Sequence, residues 1–203
     1  KGTISAANSL VGSTAYDRIG YGGVTALVNG NYVVGCRYWD NGPVADAGAA
    51  TWGSGTSGVK GTVSAANSLV GSTTSDQVGS GGVTALSNGN YVVRSAAWDN
   101  GTVANAGAAT WGSGTVGVKG AVSAANSLVG GTANDQVGYG ITVLPNSNYV
   151  MSSPNWDNGT VVNVGAATWG SGVSGISGGV SAGNSLIGST ANDRVSIGGV
   201  TAL

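Results

Sequence analysis

Seven of the eight acidic residues in this chain fall at two repeating places. Asp17, Asp76, Asp135 and Asp193 share one, Asp40, Asp99 and Asp157 share the other, and Asp46 stands apart. Paired carboxylates could hydrolyse a glycosidic bond, one protonating the leaving oxygen while the other attacks or activates water. They also do something plainer: an Asp oxygen ties down the N–H groups of a turn. A structural turn needs its Asp in every repeat, whereas an enzyme has little use for three copies of one catalytic pair. The aspartates are therefore read as turn-formers. The chain has no His, which removes Ser-His-Asp and Cys-His catalysis and His-based metal sites. Glycine runs such as Gly53-Ser54-Gly55 precede a β pattern and no helix, which disfavours a phosphate cradle. The expectation is no catalytic residue, no cofactor, no metal, and a protein that is not an enzyme.

The six tryptophans also form two repeating sets: Trp39, Trp98 and Trp156, then Trp52, Trp111 and Trp169. With no Phe in the chain, they are the largest apolar groups available to fill the space between stacked sheets. A lectin would use the same residues, stacking a pyranose on indole while Asp hydrogen-bonds its hydroxyls. Trp39, Trp98 and Trp156, with Asp40, Asp99 and Asp157, are thus the candidates for glycan or inter-subunit contact. Asn100 and Asn158 open N-x-[ST] triplets and are candidate glycosylation acceptors. The single Cys36 stands where the other copies have Ser95 and Ser153 and is read as occupying a small-residue slot. Lys1, Lys60 and Lys119 recur at the joints between copies and suggest a solvated face.

These residues recur because the whole chain does. Copies begin at Lys1, Lys60, Lys119 and Ser177, spaced by 59, 59 and 58 residues, and the last is a partial copy. Self-similarity at such a period marks a solenoid, a propeller or an array. Each copy reads as four strands, which in the second are Val83 to Leu86, Tyr91 to Ala96, Ala106 to Trp111 and Val122 to Val129. Asn88-Gly89 between the first two is a hairpin signal, and Trp98-Asp99-Asn100-Gly101 is a second turn. No stretch combines helical apolar spacing with freedom from Gly. Four short antiparallel strands per copy match the size of a propeller blade.

Composition narrows the partners. Charged residues make up 7% of the chain and the formal net charge is -1, so little draws it to nucleic acid or anionic lipid. Hydrophobic residues at 41% argue against disorder, and no apolar run approaches the roughly 20 residues of a membrane span. The expected partner is the protein itself, with glycans second; neither nucleic acid nor membrane insertion is expected.

The segments GGVTALSNGNYVV, AGAATWG and NSLVGGTANDQVGYG resemble the FG-GAP blades of integrin-type β-propellers. The text is also similar to a tandem repeat of very long secreted bacterial proteins. The FG-GAP resemblance implies blades at 23–71, 81–130 and 139–188. An orphan outer strand and link occupies 1–22, with the strand at Ile4 to Val11, and 198–203 is the first strand of a further blade. The family's acidic calcium loop is replaced by Ser87-Asn88-Gly89-Asn90 and its counterparts, none with a carboxylate, so calcium binding is not carried over.

Three blades fall short of the four to eight that close a ring, and the chain starts and stops within a repeat. The expectation is an all-β array of propeller-like blades, open or completed by other copies, with a β-solenoid as the alternative fold. Its expected role is structural, in a bacterial extracellular or cell-surface filament, sheath or giant adhesin, with a multivalent carbohydrate-binding propeller as the alternative.

Overall fold

The computed structural model describes residues 2–203, so Lys1 of the lysine series lies outside the described residues. The chain is all-β, and no helix occurs among the described residues. Strand β1 (Leu10–Val11) precedes the first full copy, which supplies β2 (Val24–Ala26), β3 (Tyr32–Cys36), β4 (Ala49–Gly53), β5 (Gly61–Thr62) and β6 (Ser68–Val70). The second copy gives β7 (Gly82–Ala85), β8 (Tyr91–Ser95), β9 (Ala108–Gly112), β10 (Gly120–Ala121) and β11 (Ser127–Val129). The third gives β12 (Gly140–Val143), β13 (Tyr149–Ser153), β14 (Ala166–Gly170), β15 (Gly178–Gly179) and β16 (Ser185–Ile187).

Each copy builds an antiparallel four-stranded sheet, in order β2-β3-β4-β6, β7-β8-β9-β11 and β12-β13-β14-β16. This is the blade pattern and not the parallel coil of a β-solenoid. The sheets follow one another without closing into a ring.

The outer strand differs from the expected continuous run Val122 to Val129. Asn126 breaks it: its Oδ1 accepts the Ser123 N–H at 3.0 Å and its amide donates to the Ala121 carbonyl at 2.9 Å. This side-chain-built turn leaves β10 before it and β11 after it. β10 then joins the preceding sheet, pairing parallel with β6 in the register Gly120↔Leu69 and Ala121↔Val70. β15 joins β11 in the same way, and β5 joins β1. The first two sheets therefore each gain a fifth strand from the next copy, and the third has four. The expected orphan strand Ile4 to Val11 contracts to β1 for the same reason, with Asn8 building the turn. Residues 198–203 form no strand. They still lie where a first strand belongs: the Val200 carbonyl accepts Thr142 Oγ1 at 3.0 Å, as the Val83 carbonyl accepts Thr25 Oγ1.

Strand alternation sends neighbouring residues to opposite faces, and both faces are buried. Val33, Ala50 and Leu69 of the first sheet meet Tyr91, Val93, Ala108 and Val129 of the second. Val92, Ala109 and Leu128, on the other face of that second sheet, meet Tyr149, Met151 and Ala166 of the third. Inside each sheet a hydroxyl pair at 2.7 Å links two strands: Thr51 to Ser68 and Thr110 to Ser127, both buried, and Thr168 to Ser185, part-buried. Gly107 shows why some glycines recur. At φ +75°, a Cβ there would lie 2.3 Å from the Val137 backbone nitrogen.

Candidate functional site

The two sets of aspartates meet in every copy and form a relay of turns. Asp76 is fully buried. Its Oδ2 accepts the N–H groups of Ser72 at 2.7 Å and Thr73 at 2.8 Å; its Oδ1 accepts the Thr73 hydroxyl and the Asp99 N–H, the latter at 2.9 Å. Asp99 Oδ1 in turn accepts the Asn105 N–H at 2.7 Å. Asp17 with Asp40 and Asp135 with Asp157 repeat this arrangement. The sequence places the aspartates in two turns; the structure makes the first Asp the anchor of the second. Burial works to raise the Asp17 carboxyl, but hydrogen bonds from Thr14, Asp40 and Ser13 outweigh it and hold the group below its ordinary value. A carboxylate stabilised in this way accepts hydrogen bonds and holds its proton poorly, the reverse of a general acid.

Trp39, Trp98 and Trp156 are buried, at 2%, 3% and 5% exposure, and so present no indole face on which a sugar could stack. Their partners Asp40, Asp99 and Asp157 are half-buried and engaged with backbone. Asn100, a candidate glycosylation acceptor, already donates its amide to the Gly130 carbonyl at 3.0 Å, whereas Asn158 is exposed. Lys60 and Lys119 are exposed. Cys36 is buried, which pushes its thiol up from the ordinary value. Its sulfur receives the Gly20 N–H at 3.5 Å, as Ser95 Oγ receives the Gly79 N–H at 3.1 Å. Cysteine and serine thus fill one acceptor slot.

The other tryptophans build the seam between copies. Trp52 Nε1 donates to the Gly114 carbonyl of the second copy at 3.0 Å. Asn29 and Asn31, from the Asn-Gly hairpin turn, donate their amides to the same oxygen at 2.9 and 2.8 Å. Trp111, Asn88 and Asn90 repeat the triad on the Gly172 carbonyl at 3.1, 2.8 and 2.9 Å. The indole also seats on a glycine. A Cβ at Gly117 would lie 2.7 Å from Trp52 Cβ, and one at Gly175 would lie 2.5 Å from Trp111 Cβ. The asparagines of the hairpin turn thus donate hydrogen bonds across a protein seam. Among the described residues no group of three or more His, Cys, Asp or Glu side chains comes together.

The repeat geometry coincides with a family boundary. A family model described as a repeat of unknown function, DUF5650, matches residues 1–21, 26–80, 85–139 and 143–197. The chain belongs to the DUF5650 family. No curated protein matches it.

Among these DUF5650 copies the first departs most from the others on its surface. Tyr21 and Tyr38 pack with ring centroids 5.0 Å apart. The Arg37 guanidinium lies 4.9 and 5.1 Å from the two rings, and that of Arg18 lies 5.4 and 5.6 Å from them. Tyr16, Arg18, Tyr38 and Asp46 line an open cleft of about 310 Å³ beside them. The second copy has Ser75, Gln77, Ser80, Ala96 and Ala97 at the places of Tyr16, Arg18, Tyr21, Arg37 and Tyr38. Sequence reasoning passed over this cluster, although the departure of one copy from the others was its signal.

Proposed function

We propose that this chain is a structural segment of an extracellular filament, sheath or giant adhesin, extended by packing one DUF5650 sheet against the next. The observation that carries this reading is the reuse of one seam. The triad of Asn29, Asn31 and Trp52 and that of Asn88, Asn90 and Trp111 each close on one glycine carbonyl of the following copy. A packing solution that repeats without change can lengthen an array indefinitely, as in other repeat proteins whose stability is a sum of neighbour interfaces. Low charge lets the copies lie close. The kinship with FG-GAP blades is part of the proposal, supported by the four-stranded sheets and by the first strands lying side by side at Thr25 and Val83. Export from a bacterial cell follows from the role. Negative-stain electron microscopy of the native material tests it: filaments with a regular axial repeat are expected, and discrete particles only would reject it.

A second reading is carbohydrate contact, moved from the buried tryptophans to the cluster of Tyr16, Tyr21, Tyr38, Arg18 and Arg37. Its support is the exposure of Tyr16 at 82% and Tyr21 at 54% beside the Asp46 cleft. Titration against a glycan panel, read on tyrosine resonances, tests it; unmoved resonances would reject it.

A further inference from the structure

One turn of the first copy holds residues that the other copies avoid there. Tyr16 and Arg18 lie in the left-handed backbone region, at φ +72° and +45°. The second copy has Ser75 and Gln77 at the same turn, at φ +66° and +45°, and the third has Asn134 and Gln136. Asn enters that region readily, whereas a bulky side chain there is an outlier. Burial does not compensate at Tyr16, which is 82% exposed. A conformational cost retained at an exposed ring points to a use outside the fold.

Neighbouring repeats leave this surface uncovered. Ser75, at the place of Tyr16, is exposed with a full copy on either side. Tyr139, at the place of Tyr21, is 56% exposed although a full copy precedes it. Arg94 of that preceding copy donates to the Tyr139 carbonyl at 2.9 Å, a contact with the main chain alone.

The groups gathered there are cationic and aromatic. The Arg18 and Arg37 guanidiniums both lie over the Tyr21 and Tyr38 rings, and among the described residues neither joins a carboxylate in an ion pair. Arg37 Nε is buried without a hydrogen-bond partner. A guanidinium stacked on aromatic rings is held in place with its N–H fork free for an oxyanion. The adjoining cleft of about 310 Å³, lined by Tyr16, Arg18, Tyr38 and Asp46, has the size of a small ligand pocket. Asp46 stands where the other copies have Asn105 and Asn163, and its carboxylate accepts no hydrogen bond among the described residues. That carboxylate repels a bare anion but accepts hydroxyl groups, so the cleft suits a ligand with an oxyanion at one end and hydroxyls at the other.

We infer that this cleft binds an acidic saccharide, a sugar ring bearing a carboxylate or a sulfate. Arg18 pairs with the oxyanion, Tyr16 and Tyr38 flank the ring, and Asp46 accepts its hydroxyls. Arg37 adds its charge from outside the lining. The inference rests on the carbohydrate reading above and names the class of sugar.

Calorimetric titration of the full chain tests it with three probes of equal length: an oligoglucuronate, a neutral gluco-oligosaccharide and the sulfated form of the latter. At least one acidic probe should bind about tenfold or more tighter than the neutral one, and weaken as salt is added. Arg18→Gln should cost about tenfold to a hundredfold in affinity for that probe and leave neutral binding within about threefold. Tyr16→Asn should weaken every probe and melt no lower than wild type, because Asn suits the left-handed turn. Both substitutions install a residue that other copies hold at the same place, so the fold is kept. Acidic and neutral probes that bind alike overturn the inference and leave the carbohydrate reading standing. No binding of any probe overturns both. Acidic binding that neither variant moves overturns the assignment to this cleft.

Discussion

Leu128 and Leu186 occupy the same place in successive sheets, on strands of nearly the same sequence, Ser-Leu-Val and Ser-Leu-Ile. One is fully buried and the other is 72% exposed. Neither propensity nor local pairing separates them, since β11 pairs with β9 as β16 pairs with β14. What separates them is the next copy. A DUF5650 sheet is apolar on both faces, so its core is completed by its neighbours on either side, in the manner of a linear repeat.

Truncating the two leucines gives the largest contrast. Leu128→Ala removes a fully enclosed side chain and should cost about 2–5 kcal/mol of unfolding free energy. Leu186→Ala, in dilute solution, should stay within about 0.5 kcal/mol of wild type. Urea unfolding of the two variants measures the gap, and equal losses would break the comparison.

Glycine sockets sharpen it. Gly175→Ala drives a methyl into Trp111 at a φ of +72° and should cost about 1–3 kcal/mol. Gly58→Ala carries the same left-handed strain, φ +73°, but meets open space, and should cost only about 1 kcal/mol. Thermal denaturation ranks the pair; a Gly58 variant as damaged as the Gly175 one would mean that the first copy's socket is already filled.

The smallest effect is acidic. The Asp17 carboxyl is held below its ordinary value of 3.8 by the Thr14, Asp40 and Ser13 donors. Its contribution to stability is therefore fully present above pH 3.8 and is lost as the pH falls through the depressed folded value. Following the Thr14 amide resonance on acidification should show the turn releasing only below that point. Release at a higher pH would contradict the assignment of these donors.

Much of this architecture was legible before any coordinates. The Asn88-Gly89 dipeptide marked its hairpin because few residue pairs tolerate that turn, and the recurring aspartates marked turns because their spacing matched the repeat. The outer strand was misread because Val122 and Leu128 keep an apolar run going through Ser123-Ala-Ala-Asn126. Only the Asn126 side chain, bonding both ways along the backbone, reveals the break. The tryptophans could not be sorted either. Trp98 and Trp111 are equal in type and regularity, and which one faces the seam depends on the neighbouring copy. The Arg–Tyr cluster was hidden because Arg18 and Tyr21 are far in sequence from Arg37 and Tyr38, and no local pattern joins them.

The central claim is that one seam joins each DUF5650 sheet to the next, closed by Trp52 on the Gly114 carbonyl and by Trp111 on the Gly172 carbonyl. A photo-reactive phenylalanine analogue placed at position 111 tests it most directly, with cross-links mapped by mass spectrometry. The account predicts cross-links concentrated on the Gly172-Val173-Ser174-Gly175 loop of the same chain. Cross-links scattered over the surface, or absent from that loop, would contradict it.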